Sequence, residues 1–204
     1  MKDVSDSDGE DCVWLSGVTW TPAAVSDPIP ELSTTATSAE VVAALEGSGD
    51  EKLVENITTA AEYAAYRVWA LGLEGVTQQE VKESPNAWLS YALNTATLIA
   101  AAPKEEDVAI NAFESAANAG AFEFTVKLDG IEVGENALEV NIRKVFDIEG
   151  AANLASGEAG FSPDNVEVNA AAPENGNVKF TVTPNGGGEG ARRPTSFFFR
   201  VKMK

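Results

Sequence analysis

Few residues of this chain have the types and spacing that site chemistry requires. The acidic run from Asp6 to Asp11, Asp-Ser-Asp-Gly-Glu-Asp, is rich in the oxygen ligands that Ca²⁺ prefers. It lacks the ligand spacing of a calcium loop and the bidentate glutamate at the twelfth position. We therefore interpret residues 1–11 as a solvated acidic tail and expect no metal site.

Catalytic chemistry also lacks its usual residues. The chain has no histidine, and Cys12 is its only cysteine, so a thiol nucleophile would have no imidazole to activate it. Adjacent carboxylates such as Glu105 and Glu106 are expected by chance among 32 acidic residues. The glycine-rich run 186–190 lacks the Lys-Ser/Thr of a phosphate-binding loop and suits a hairpin connection. We expect no enzyme activity, no catalytic residue and no cofactor.

Tryptophan offers the remaining binding chemistry, because an exposed indole ring can stack on a sugar. Trp14 and Trp20 flank Ser-Gly in an apolar stretch that predicts a short strand or hairpin, whereas Trp69 and Trp88 lie in helical patterns. We favour packing of these rings against neighbouring elements and keep a carbohydrate-binding module as the alternative function. Exposure of the four indole rings distinguishes the two hypotheses.

The charge of the chain limits its partners. Its 32 acidic and 14 basic residues give a net charge of -18, which argues against nucleic acid and anionic membranes as partners. The basic end, residues 192–204, is either a docking patch or, as we favour, a solvated strand face with edge-protecting lysines.

The sequence also bears on localisation. No apolar run reaches the ~18 residues of a membrane-spanning helix, and the N-terminus lacks the apolar core of a secretion signal. The chain is therefore expected to be either cytoplasmic or the C-terminal part of a longer precursor.

The elements that would position such residues fall into two groups, of which the first is helical and spans residues 37–102. Capping boxes begin at Thr37, Thr59 and Thr77, and each predicts the start of a helix. Ser84-Pro85 predicts a fourth start, with serine as the cap and proline in the first turn. The second helix should have a buried seam, because four of its residues share one face: Tyr63, Tyr66, Ala70 and Leu73.

After Pro103 the apolar period changes from helical to alternating, which predicts strands. Six short runs are indicated, around residues 108–110, 122–128, 131–133, 166–169, 178–183 and 197–203. Asp129-Gly130 is a turn signal between the second and third runs. Residues 136–147 fit both a helix and a strand, and we favour a helix.

The closing run, residues 197–204, has the clearest pattern. Phe197, Phe199, Val201 and Met203 alternate with Phe198, Arg200, Lys202 and Lys204, as in a half-buried strand. Because the chain stops where this apolar face stops, we expect Lys204 to be a native end. We expect substitutions at Phe199 to destabilise far more than those at Arg200.

Three segments together resemble a known arrangement. They are Tyr-Ala-Ala-Tyr-Arg-Val-Trp-Ala-Leu-Gly-Leu at 63–73, Ser-Pro-Asn-Ala-Trp-Leu-Ser-Tyr-Ala-Leu at 84–93 and Phe-Phe-Arg-Val at 198–201. This pattern resembles the C-terminal cassette of large secreted or surface-exposed bacterial proteins, many of them autotransporter-like or adhesin-like. The resemblance covers roughly residues 59–204 and implies an extracytoplasmic, non-catalytic terminal module. Many relatives carry an Asp-rich calcium loop before the Ala-Leu helix, but this chain has Glu83-Ser84-Pro85-Asn86 there, so calcium binding is not implied.

The sequence thus predicts an α+β chain in three parts. Residues 1–36 are an acidic tail, a short strand and a Pro/Ser/Thr-rich linker; residues 37–103 are a small helical subdomain. Residues 104–204 are a C-terminal antiparallel β-sandwich of immunoglobulin- or fibronectin-like type. The expected function is a structural or interaction module at the C-terminus of an extracellular bacterial protein. Its expected partner is a protein or glycan at the cell surface.

Overall fold

The structure is a computed structural model that describes residues 27–115, 121–155, 157–185 and 197–204. The acidic tail, the apolar stretch with Trp14 and Trp20, the glycine run 186–190 and the arginines at 192–193 lie outside these residues. Helices come first along the chain and antiparallel strands follow, so the α+β class is confirmed. The helices are α1 (Ser38–Leu45), α2 (Glu51–Asn56), α3 (Ala60–Gly72), α4 (Gln78–Glu83), α5 (Ala87–Ala92) and α6 (Glu139–Val145).

The three predicted capping boxes all form. The threonine side chain in each accepts a hydrogen bond from the glutamate N–H three residues later, and that glutamate accepts from the threonine N–H. The N-to-carboxylate distances are 2.7 Å at Thr37, 3.0 Å at Thr59 and 2.8 Å at Thr77. These helices begin where local hydrogen bonding satisfies their free N–H groups.

Two features of the helical region differ from the sequence prediction. Ser84-Pro85 does not start α5, which begins at Ala87, because the Ser84 hydroxyl accepts from the Asn86 N–H in a tight turn at 3.3 Å. Helix α2 was not predicted. Its cap is Asp50, whose carboxylate accepts from the Lys52 N–H at 3.0 Å.

The strands form two antiparallel sheets. They are β1 (Val108–Ser115), β2 (Phe122–Leu128), β3 (Phe146–Ala151), β4 (Val166–Ala170), β5 (Val178–Pro184) and β6 (Phe198–Met203). Four of them form a sheet in the order β1-β2-β5-β4, and β3 pairs with β6. The register places Phe124 opposite Phe180 in the first sheet and Gly150 opposite Phe199 in the second.

The third predicted run is wrong, and the strand β3 replaces it. Residues 131–133 make only an isolated bridge, between Leu128 and Ile131, after the turn at Gly130. The chain then leaves the sheet, because the Gly134 N–H bonds to the Leu93 carbonyl at 2.8 Å, at the end of α5. The ambiguous region is helical over α6, as favoured, but Phe146 already belongs to β3.

The two sheets pack face to face through aromatic rings. Phe199 stacks on Phe124 with ring centroids 5.4 Å apart, and Phe146 meets Phe180 edge-on at 5.5 Å. Phe197, Phe199, Val201 and Met203 all pack against the core, so the predicted apolar face of the closing strand is confirmed. Phe199 thus links β6 to the four-stranded sheet.

The described helices and sheets share one apolar core, which runs from Ile29 through the helices to Val182. Lys144 of α6 donates to the Asn56 carbonyl at 3.1 Å, and α6 also packs on α5. The predicted boundary between the helical subdomain and the β-sandwich, at residues 103–104, stays a prediction, because the two parts share this core. Among the described helices, none has both the length and the apolarity that crossing a membrane would require.

Candidate functional site

The most unusual surface of the described chain is one side of α3. Six residues form it, at helical positions that point away from the core, and we call this set the α3 outer face: Ala61, Ala64, Ala65, Val68, Leu71 and Gly72. Val68 is 72 % exposed and Leu71 is 45 % exposed. Solvent-facing sides of helices usually carry charged or polar side chains, and this one carries none.

The opposite side of α3 is the buried seam that the sequence predicts. Tyr63, Tyr66 and Ala70 are buried there. Tyr66 meets Tyr91 of α5 edge-on, with ring centroids 5.6 Å apart. Burial raises the pKa of Tyr63 to about 12 against the opposing effect of the nearby Arg67 charge, and its hydroxyl donates to the Pro30 carbonyl at 2.8 Å. The helix is therefore anchored in the core by one side, while its outer face meets solvent.

The charged residues of α3 lie at the edges of the outer face and are already paired. Glu62 caps the helix and lies 3.8 Å from Lys144. Burial opposes its ionisation, but the hydrogen bonds from Thr58 and Thr59 and the Lys144 charge together lower its pKa. Arg67 donates to the Ile29 carbonyl at 3.0 Å and lies 3.6 Å from the Asp27 carboxylate. Both charged side chains are therefore held by these partners at the edges of the apolar face.

The tryptophan rings of the described residues do not offer a sugar-stacking platform. Trp88 is 3 % exposed, and the Lys144 ammonium lies over its ring, 5.6 Å from the centroid. Trp69 is half-buried, and its indole N–H donates to the Thr95 carbonyl at 3.1 Å. Trp14 and Trp20 lie outside the described residues. The carbohydrate hypothesis therefore receives no support from Trp69 or Trp88.

A cleft of about 640 Å³ lies beside Trp88, between the helices and the end of β6. Two of its basic side chains make internal contacts: the Lys52 ammonium donates to the Lys204 carbonyl at 2.6 Å, and Lys144 donates to the Asn56 carbonyl. The buried Asp50 carboxylate accepts from the Trp88 N–H at 2.8 Å. These hydrogen bonds connect α2 to α5, to α6 and to the residue after β6. We therefore interpret the cleft as a structural junction.

The basic face of β6 is compensated by acidic residues. The Arg200 guanidinium bonds to Glu149 and Glu158 and lies over the Phe161 ring, 4.7 Å from its centroid. Lys202 lies 3.3 Å from the Glu149 carboxylate. Burial opposes the ionisation of Glu149, but the hydrogen bonds from both bases lower its pKa. The basic face of β6 is therefore paired at these positions with acids of β3 and residues 157–160, and its side chains remain partly exposed.

Candidate metal-binding and catalytic groups are few in the described part of the chain. No group of three or more metal-ligating side chains occurs among those residues. Glu105 and Glu106 lie in an exposed 3₁₀ turn, with Glu106 3.8 Å from Lys104. The glutamates whose pKa shifts all shift downward, whereas a general acid at neutral pH needs a raised pKa: Glu40, Glu62, Glu80, Glu149 and Glu158.

Sequence reasoning missed the α3 outer face, although its signal was present. The aromatic stripe identifies the buried side of α3, and the sequence prediction covers that side alone. Between Ala60 and Gly72 the only charged residues are Glu62 and Arg67, so the helix is apolar nearly all round. That pattern is typical of a helix covered on every side.

Comparison of the chain with family models, with curated proteins and with solved structures returned no match.

Proposed function

We propose that this chain is a non-catalytic protein-interaction module whose contact surface is the α3 outer face. The observation that carries the proposal is the 72 % exposure of Val68 at the centre of a helix face without charge. An exposed apolar helix face without charged residues supports the assignment of an interaction surface. A net charge of -18 disfavours anionic membrane surfaces, and α3 contains a single basic residue, Arg67, so a protein partner suits the face better than lipid.

The setting of the module is part of the same proposal. Its resemblance to the C-terminal cassette of secreted bacterial proteins supports a place at the end of an extracellular or cell-surface protein. A net charge of -18 disfavours nucleic acid as the partner, since phosphate binding requires clustered bases. The complete absence of histidine supports a non-catalytic role.

The partner surface is expected to be a short apolar segment. The small residues Ala61, Ala64 and Ala65 leave a shallow strip along the helix, with Val68 and Leu71 raised at its C-terminal half. A large ring or branched side chain can lie on the alanines and contact Val68 from the side. Aromatic residues are the commonest anchors of this kind in protein interfaces.

Photo-crosslinking in the cells that produce the protein tests the proposal. A benzophenone amino acid at Val68 should form protein adducts, within this chain or with another polypeptide. The reason is that a bound polypeptide covers the face in the functional state of the protein. Val140 of α6 is the matched control, an exposed valine on another helix, 58 % accessible. Adducts at Val68 no more abundant than at Val140 would contradict the proposed function.

A further inference from the structure

We propose that residues 13–20 of the same chain bind the α3 outer face. This inference rests on the proposed function, because it names the partner of the same surface. Four observations support it: where the described chain begins, how far the preceding residues reach, their chemistry and the size of the face.

The chain enters the structure alongside α3. The Pro30 carbonyl accepts from the Tyr63 hydroxyl, the Ile29 carbonyl accepts from Arg67, and the Asp27 carboxylate lies 3.6 Å from the same arginine. Passing from Pro30 back to Asp27, the contacts therefore move from Tyr63 toward the C-terminal end of the helix. Leu71 lies one turn beyond Arg67, so the preceding residues emerge at the edge of the outer face.

The connection is long enough for the whole face. Residues 21–26 separate Trp20 from Asp27, and six residues span at most about 20 Å when extended. Helix α3, with 13 residues, is about 20 Å long. Residues 13–20 can therefore reach any point of the α3 outer face without moving Asp27.

The chemistry of residues 13–20 matches the face. Their sequence, Val-Trp-Leu-Ser-Gly-Val-Thr-Trp, contains no charged residue and includes two of the four tryptophans of the chain. The acidic residues that precede Asp27 all lie at or before Asp11. An uncharged apolar segment next to an uncharged apolar face allows both to leave water together.

The size of the face favours a tethered partner over a second copy of the chain. A helix face about 20 Å long and 10 Å wide buries by itself far less than the roughly 1,200–2,000 Å² of a stable interface between separate proteins, so an untethered partner would need further contacts outside this face. A segment joined by a short linker has an effective concentration in the millimolar range, so a small contact suffices.

The native Cys12 supplies the probe for this inference, since it precedes Val13 and is the only cysteine. We would introduce Ala64→Cys or Gly72→Cys on the outer face, or Lys127→Cys on β2 as a remote control. The fraction of intramolecular disulfide is then measured in glutathione buffers of known ratio, at low protein concentration. At least one outer-face variant should show an effective concentration of the thiol pair ten or more times that of the control.

The matched background is Trp14→Ser with Trp20→Ser, which keeps the tether length and removes the large apolar rings. The enrichment should disappear there. An unchanged disulfide fraction in this background would overturn the inference, because tether length alone would then explain it. Disulfide-linked dimers at the outer-face positions would also overturn it and assign the face to a second copy.

The failures of the two proposals are distinguishable. Adducts from Val68 to another protein, together with a disulfide fraction that does not depend on Trp14 and Trp20, would retain the docking surface and reject residues 13–20 as its occupant. Absence of both signals would reject the docking surface itself.

Discussion

Gly134 lies where the chain crosses from β2 back to the end of α5, and Gly134→Ala tests whether that junction is tight. A Cβ atom at this position would lie less than 3.0 Å from the Asn94 carbonyl oxygen, 3.0 Å from its carbonyl carbon and 3.1 Å from its Nδ2. Asn94 itself has a φ of 47°, so its backbone has little freedom to retreat. The junction can accept the methyl group only if one backbone moves.

The expected loss has two parts. Overpacking against a fixed neighbour costs typically ~1–3 kcal/mol. Movement of the loop would also weaken the 2.8 Å hydrogen bond from the Gly134 N–H to the Leu93 carbonyl, a contribution of about 1 kcal/mol. We expect a loss of about 2–4 kcal/mol in the free energy of unfolding, a large share of the ~5–15 kcal/mol of a typical domain.

Gly72→Ala is the matched control, because no atom lies within 4 Å of a Cβ added at Gly72, the last residue of α3. Helix propensity there favours alanine by up to ~1 kcal/mol. Urea unfolding followed by circular dichroism should separate the two variants in opposite directions. Equal midpoints would refute the close approach at Gly134.

Further predictions concern the core, a buried cap, pH and metal. Phe199→Ala should cost about 2–3 kcal/mol because the half-buried ring stacks between the sheets, whereas Phe198→Ala, at a ring 37 % exposed, should cost less than ~1 kcal/mol in the same urea assay. Asp50→Ala should cost about 2–4 kcal/mol by leaving two N–H groups unpaired, and Asp50→Asn should also destabilise, because its single amide oxygen can accept from only one of the two N–H groups; a neutral result for Asp50→Asn would contradict the role of both carboxylate oxygens as acceptors. The lowered pKa of Glu149 contributes stability above its ordinary value of 4.5 that is lost as pH falls through the lower folded value; Glu149→Gln should flatten this acid limb in a pH series of melts. Excess calcium and chelator should give the same Tm, and a rise of ~5 °C or more with calcium would contradict metal independence.

The features that the sequence predicts correctly depend on nearby residues. The capping boxes at Thr37, Thr59 and Thr77 involve partners three residues apart, so their spacing alone identifies them. The closing strand alternates cleanly because one of its faces packs on the core, and the period of a strand is visible in the chain itself.

The features that the sequence does not predict depend on distant partners. Strand β3 follows α6 without a turn residue and contains Asp147, Glu149 and Gly150, which disfavour strands by composition. Its ladder is completed by β6, about 50 residues later, with Glu149 paired to Arg200 across it. Similarly, the second acceptor role of Asp50 requires the Trp88 N–H, 38 residues away. Neither relation leaves a periodic pattern in the sequence.

The α3 outer face combines both situations. Its composition is visible in the local sequence, but whether the face is covered depends on a partner that the local sequence does not show. A 13-residue helix with only two charged residues, Glu62 and Arg67, and apolar residues on nearly all sides predicts burial. The described chain covers only one side of it, with the tyrosine seam, and the side containing Val68 and Leu71 faces solvent. A partner that covers these side chains would gain a free energy of roughly 25 cal/mol per Å² of apolar surface removed from water. The helix therefore has the composition of a core element while occupying a surface position, and a covering segment resolves that mismatch without any change in the fold.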